Sequence, residues 1–394
     1  MEKIHLPRDV RFIMNRLAEN GHRADIVGGS VRDAILGREI GDYDITTDAT
    51  PERTAALFSD FRTVETGIKH GTLTVVIGKT PYEITTYRQD GEYLDNRHPS
   101  SVNFTRELSL DLSRRDFTVN AMCYNERDGL SDLFDGRGDL ERRLIRTVGE
   151  PERRFSEDAL RILRALRFAS VLDFEIEENT ARAVRECAHL LENVSRERIY
   201  TEWIKLLSGK GAHRILSEFS DIADYISPGL SNMSLPSEER FAIASPRARM
   251  LSLYLWGKED AASDFSASML YLRSDKHIRT LGVAVLTQIF DATLSTLPEA
   301  QRLLYKIGEE AALLTAELGA LIGKWDSGAL RLVREALELG LPYRISDLEI
   351  GGRELIALGF SGERVGDMLD RLLLAVIDGE VENSKEALLS YAVT

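Results

Sequence analysis

Residues 24–47 read ADIVGGSVRDAILGREIGDYDITT, and this stretch decides the fold. ADIVGG predicts a short buried strand that turns on a glycine pair. SVRDAILG restores helical spacing, and DYDITT returns to β-branched alternation, so strand, helix and strand follow one another. Upstream, DVRFIMNRLAENG puts Val10, Ile13 and Leu17 on one side of a helix that Gly21 ends. Downstream, GTLTVVIG and PYEITTYR predict two more strands, so residues 1–145 read as mixed α/β. From about 146 the strand signals vanish. RFSEDALRILRALRFASVL, TARAVRECAHLL and RERIYTEWIKLL each predict an amphipathic helix, and the chain stays helical to its end. The expected fold is α+β: an α/β head followed by an all-helical body.

The 394 residues correspond to two or three packed units. With 43% hydrophobic and 29% charged residues, the composition is that of a globular protein able to bury a core without staples. Cys123 and Cys187 stand far apart, against a disulfide framework or a cysteine-rich zinc site and in keeping with a reducing compartment. MEKIHLPRDVRF has no apolar signal core, and no stretch approaches the ~18 apolar residues that span a bilayer. A cytoplasmic protein with no membrane partner is expected. The net charge of −14 argues against coating a duplex. That charge is uneven, however: residues 151–214 carry 12 Arg/Lys against 11 Asp/Glu. Every basic residue from Asp111 to Ser170 is arginine, which favours forked recognition of phosphates and base edges. A small, local RNA contact remains compatible with that pattern.

Four blocks carry chemistry. Gly28 and Gly29 sit where a strand meets a helix, and glycines there let backbone N–H groups approach a phosphate, although a plain turn has the same sequence. Asp42 and Asp44 stand two apart, so in a strand their carboxylates converge and repel unless a divalent cation joins them. Mg²⁺ takes one or two protein carboxylates plus substrate phosphates, and two such ions can activate a 3′-hydroxyl and stabilise a pyrophosphate leaving group. Glu83 can join this set or simply face outward on its strand. In Arg114-Arg115-Asp116-Phe117-Thr118-Val119-Asn120, an arginine can pair with a triphosphate, Asp116 and Asn120 can bond a ribose hydroxyl, and Phe117 reads as core. Finally, Asp158 and Arg161 lie one helical turn apart, followed by Arg164 and Arg167. Cytosine and adenine both present an amino donor beside a ring-nitrogen acceptor. One carboxylate and one guanidinium can therefore accept C and A and reject U and G. The ordinary alternative is a surface i,i+3 ion pair.

Together GGSVRD, GDYDITTDATPE, RRDFTVNAM and GEPERRFSEDALRILRALRF resemble the class II tRNA nucleotidyltransferases, the bacterial CCA-adding enzymes and their poly(A) polymerase relatives. DGEYLDNRHPSSVNF resembles the flexible loop of that family, Arg198-x₃-Glu202-x₂-Lys205 its last head-and-neck motif, and ISDLEIGGRELIALGF its tail. The likeness spans nearly the whole chain and is weakest from about 220 to 330. It implies a nucleotidyltransferase head (1–145), a helical neck that selects the base (146–215), a helical body (216–325) and a helical, tRNA-binding tail (326–394). It implies that Asp42 and Asp44 bind Mg²⁺, and that Gly29, Arg32 and Arg115 hold the nucleotide's phosphates and sugar. It also implies that Asp158 and Arg161 read the base, with Arg164 and Arg167 close by. Arg198, Glu202 and Lys205 would form a helix-locking charge relay. The implied reaction adds C, C and A to the tRNA 3′ acceptor end from CTP and ATP. The rivals are a CC- or A-adding specialist, a poly(A) polymerase and a non-catalytic nucleotide- or RNA-binding protein. The acidic remainder of the chain disfavours the polymerase, the full-length loop disfavours CC addition alone, and the retained carboxylate pair disfavours a decayed site. The oligomeric state is not readable from the sequence.

Overall fold

The computed structural model describes residues 4–91, 101–230, 233–255 and 260–394, in two compact units, Met1–Ile226 and Ser227–Thr394. In the first, Val10, Ile13, Met14 and Leu17 bury one face of helix α1 (Arg8–Glu19). Strand β1 (Ala24–Val27) is buried along its whole length. Gly28 then takes φ +76°, a left-handed value natural to glycine, and the chain enters α2 (Gly29–Ile35). Strand β2 (Asp44–Thr47) leads to α3 (Pro51–Leu57), whose start is fixed by Pro51 and by the Thr50 side chain accepting from Arg53 N. Strands β3 (Arg62–Val64), β4 (Thr72–Ile77) and β5 (Thr80–Thr86) follow. A separate ribbon pairs β6 (Arg88–Asp90) with β7 (Val102–Phe104), and the loop residues 92–100 lie outside the described residues. Then come α4 (Leu108–Ser113), β8 (Met122–Asn125) and β9 (Gly129–Asp132).

Seven of these strands form one sheet in the order β3-β4-β5-β2-β1-β8-β9. Strand β1 runs antiparallel to both β2 and β8, whereas β2 and β5 are parallel, with Asp44 beside Glu83. This register sets the carboxylates of the GDYDITT and PYEITTYR segments at the same level of the sheet.

After α5 (Gly136–Arg142), β10 (Leu144–Ile145) leads into α6 (Pro151–Glu157) and α7 (Leu160–Leu172). Strand β11 (Glu175–Ile176), α8 (Glu178–Glu186) and α9 (Arg196–Leu207) complete the neck. Two expectations need correction here. A strand does occur after residue 146: β11 pairs in parallel with β10, and two residues are too few to leave an alternation signal. The helix expected over RFSEDALRILRALRFASVL is two helices, broken at Asp158 (φ −138°, ψ 102°). The Asp158 carboxylate accepts from Leu160 N at 3.2 Å and so serves an amide at the start of the next helix. Apolar residues of α7 (Ile162, Leu163, Leu166) and of α9 (Ile199, Trp203, Leu206) form the neck core.

In the second unit, the secondary structure is helical among the described residues. Its longest helix, Leu297–Ile322, starts in a Thr296/Glu299 capping box and is interrupted at Gly308, where φ is 78°. One core gathers Leu303, Leu304, Ala312, Val333 and Ala336, and another gathers Leu348, Leu355, Leu372, Leu373 and Leu388. No described helix is long and apolar enough to cross a membrane. The architecture is the expected α+β, an α/β head followed by helices.

Candidate active site

The sheet positions the carboxylates first. Asp44 opens β2, Asp42 precedes it by two residues outside the strand, and Glu83 is the register partner of Asp44 on β5. Solvent reaches Asp44, but the protein around it still displaces much of the bulk water. That desolvation pushes the Asp44 carboxyl above its ordinary range, Arg115 opposes the shift, and Asp42 adds to it. Desolvation and the charges of Asp44 and Asp42 likewise raise Glu83. Among the described residues, no group of three or more His, Cys, Asp or Glu side chains is arranged to hold a metal by itself. The donor set is a carboxylate pair with mutual repulsion, which suits a hard divalent ion completed by substrate phosphates.

Beside the carboxylates, the glycine turn leaves room for arginines. A Cβ on Gly28 would stand 3.1 Å from Arg115 Nη1, and one on Gly29 would stand 3.5 Å from Arg32 Nη2. Arg32 is held by Asp33 (3.0 and 2.8 Å) and donates to Asn120 Oδ1 at 2.7 Å. Arg115 reaches the buried Asp111 at 3.4 Å, while its Nε is buried without a hydrogen-bond partner. A buried, unpaired guanidinium N–H beside a carboxylate pair is suited to an anion.

Asp116 is 8% exposed. Its Oδ1 accepts from Phe117 N (2.8 Å) and Asn120 Nδ2 (3.2 Å), and its Oδ2 accepts from Arg164 Nε at 2.7 Å. Burial opposes ionisation of Asp116, but Arg164 and Arg161 outweigh it and bring the carboxyl down to about 2. Burial also works against the Arg164 charge, and Asp116 more than compensates, holding the guanidinium above its ordinary value. Both residues expected at the ribose, Asp116 and Asn120, are therefore already engaged with arginines, a signal that spacing did not carry. Phe117 is fully buried, as expected of a core residue.

In the neck, the Asp158–Arg161 ion pair that served as the ordinary alternative does not form. Asp158 Oδ2 faces Arg198 Nη2 at 3.4 Å. Arg161 donates to Glu157 (2.9 Å), to Arg154 O (3.2 Å) and to Arg114 O (2.9 Å). The two side chains share a neighbourhood but have different partners. Nor do Arg198, Glu202 and Lys205 lock one helix. Arg198 crosses to Asp158, the buried Glu202 lies 2.9 Å from Arg167, and Lys205 is exposed. A buried carboxylate needs a counter-charge, and the one available to Glu202 stands on α7. The sequence reading missed Asp33, Asp111 and Glu157, the carboxylates that hold the site's arginines. The density of arginines from 111 to 170 was the available hint.

The model of the Poly A polymerase head domain matches residues 24–146, that of the "Probable RNA and SrmB- binding site of polymerase A" residues 173–233, and that of tRNA nucleotidyltransferase domain 2 residues 259–392. The CCA-adding enzyme of Streptococcus suis is 37% identical over 96% of this chain and 94% of its own. That of Bacillus licheniformis is 37% identical over 95% of each. The crystal structure of the Bacillus stearothermophilus CCA-adding enzyme in complex with CTP aligns with a TM-score of 0.82 and 34% identity, over 98% of this chain and 96% of that one. With this identity sustained over nearly the full length of the relatives, the chain belongs to the family of CCA-adding enzymes.

Proposed function

We propose that the chain adds C, C and A to the 3′ acceptor end of tRNA from CTP and ATP, without a nucleic-acid template, using the site built around Asp42, Asp44 and Arg115. The observation that carries this reading is the repelling carboxylate pair facing an arginine whose buried Nε lacks a partner. The tRNA 3′-hydroxyl attacks the α-phosphate of the incoming nucleotide, a phosphodiester bond forms and pyrophosphate leaves. Family membership implies a divalent metal, and Mg²⁺ suits the all-oxygen donor set of Asp42 and Asp44. Such an ion supplies activation of the hydroxyl and stabilisation of the leaving pyrophosphate.

The chain's own groups do the rest. Gly28 and Gly29 keep side chains out of the space beside Arg115 and Arg32, which bind the triphosphate. Asp116 and Asn120 meet the ribose, with Arg164 holding Asp116 ionised for that role. Asp158 accepts from the amino group of cytosine or adenine, and Arg161 donates to the adjacent ring nitrogen. Both must exchange partners to do so: Asp158 leaves Arg198, and Arg161 leaves Glu157. The domain division proposed is head 1–145, neck 146–215, body 216–325 and tail 326–394, with the tail gripping tRNA, in a cytoplasmic enzyme.

The test is incubation with tRNA lacking its terminus, Mg²⁺ and each labelled nucleotide, singly and together. Two C residues, followed by one A when ATP is also present, are expected, with loss of both on chelation. Long A tracts would instead identify a poly(A) polymerase, and arrest after CC, or A addition only to tRNA already ending in CC, would identify a specialist. Binding without incorporation would leave a non-catalytic protein.

A further inference from the structure

Three arginines of the site surround one aromatic ring. Phe168 lies on α7, 8% exposed. The guanidinium carbon of Arg167 stands 3.9 Å from its ring centroid, and those of Arg164 and Arg32 each stand 5.2 Å away. Arg32 belongs to α2 of the head, the other two to α7 of the neck. Phe117, fully buried, meets Phe168 edge-on at 5.7 Å and 78°, so the ring plane is fixed from the head side.

Three guanidinium groups this close repel one another. Each has a carboxylate of its own, Asp33 for Arg32, Asp116 for Arg164 and Glu202 for Arg167. Asp116 also attracts Arg167, and Glu202 also attracts Arg164, so the carboxylates share this work with the ring. An aromatic face is a shared negative surface that attracts all three, and desolvation strengthens the attraction. A leucine would fill the volume without that face. At Arg167 burial brings the guanidinium down to about 10 against the pull of Glu202, and the charges of Arg164 and Arg32 add to the lowering.

We propose that Phe168 is a positioning residue that gathers Arg32, Arg164 and Arg167 around its ring, joining the phosphate-binding turn of the head to the base-reading helix of the neck; this rests on the nucleotidyl-transfer reading above. The ring does not touch the reacting atoms. It sets where the positive charge stands before a nucleotide arrives.

The test replaces Phe168 by phenylalanines carrying one, two and three ring fluorines, which nearly preserve shape while draining negative charge from the ring face. KM and the directly measured Kd for CTP and ATP should rise stepwise, reaching about tenfold in the trifluoro form. Both nucleotides should be affected alike, with kcat and thermal midpoint nearly constant. Phe168→Leu should match or exceed the trifluoro value; should it fail to fold, the fluorinated series still decides. A series flat in KM and Kd, or one that moves only the melting temperature or only kcat, overturns the proposal and makes Phe168 an ordinary core residue. Wild-type protein that adds no C or A would instead break the functional reading, so the two failures are distinct.

Discussion

The head and the neck solve the electrostatics of one site in opposite ways. At the head, desolvation and neighbouring carboxylates push Asp44 and Glu83 above their ordinary range, and Arg115 offsets this only in part at Asp44. In the neck and at its junction with the head, nearly every charge has a partner: Asp116 with Arg164, Asp158 with Arg198, Arg161 with Glu157, Glu202 with Arg167. The first region is strained without a cation and gains on binding one. The second is satisfied without ligand, so reading a base as proposed requires it to exchange partners. The proposed function thus places chemistry where charge is uncompensated, and selection where compensation can be traded.

This contrast breaks most visibly at the carboxylate pair. Asp42→Ala or Asp44→Ala should reduce both C and A addition by more than about a thousandfold, as when one member of a catalytic unit is lost. Stability should not fall. A raised folded-state pKa at Asp44 means that stability is full below the ordinary carboxylate range and is lost as pH rises through the raised value, so Asp44→Ala should melt no lower than wild type at pH 7 without metal. Mg²⁺ should raise the melting temperature of wild type and not of that variant. Near-normal incorporation would remove the pair from catalysis.

Asp116→Ala should behave in the opposite sense. Its carboxyl sits at about 2 when folded, so its contribution is present above the unfolded value near 3.9 and is lost as pH falls toward 2. Removing it strands the Arg164 charge and should cost about 2–3 kcal/mol at pH 7, with the deficit vanishing in acid. In the folded variant, preference for CTP over dCTP should narrow; an unchanged preference would take Asp116 off the ribose. Shortening the segment from Asp90 to Phe104, whose ends form the β6–β7 ribbon, should depress the final A step several-fold more than C addition. Equal losses would make the segment a general structural part. Arg198→Ala should have the smallest effect: its pair with Asp158 is partly exposed and 3.4 Å long, worth about 0–1 kcal/mol. A large loss of stability would show that this pair is structural and not exchangeable.

Much of this was legible in the sequence because local patterns encode it. The α1 face, the GG turn and the β2, β4 and β5 segments were placed by periodicity and turn chemistry alone. The break at Asp158 was not, because a helical apolar pattern continues across it while the Asp158 backbone is extended and its carboxylate accepts from Leu160 N. The partners of the site's arginines were also hidden. Arg161 with Glu157 competes with Arg161 and Asp158 at nearly the same spacing, and geometry decides between them. Arg198–Asp158 and Arg32–Phe168 join residues 40 or more positions apart, which no local pattern reports.

In the proposed function, protein side chains take the place of a template. Its most direct test is competition among CTP, ATP, UTP and GTP on tRNA lacking its terminus, measured for wild type, Asp158→Ala and Arg161→Ala, with circular dichroism showing that the helices persist. A bidentate contact to a base edge is worth roughly 1–3 kcal/mol of discrimination, about ten- to a hundredfold. Asp158→Ala should therefore raise the use of UTP or GTP relative to CTP and ATP by about that factor, and the double variant Asp158→Arg with Arg161→Asp should move preference further toward UTP and GTP. Uniformly slower turnover with the four preferences unchanged, in folded protein, would contradict the claim and leave Asp158 and Arg161 as members of the neck's ion-pair network alone.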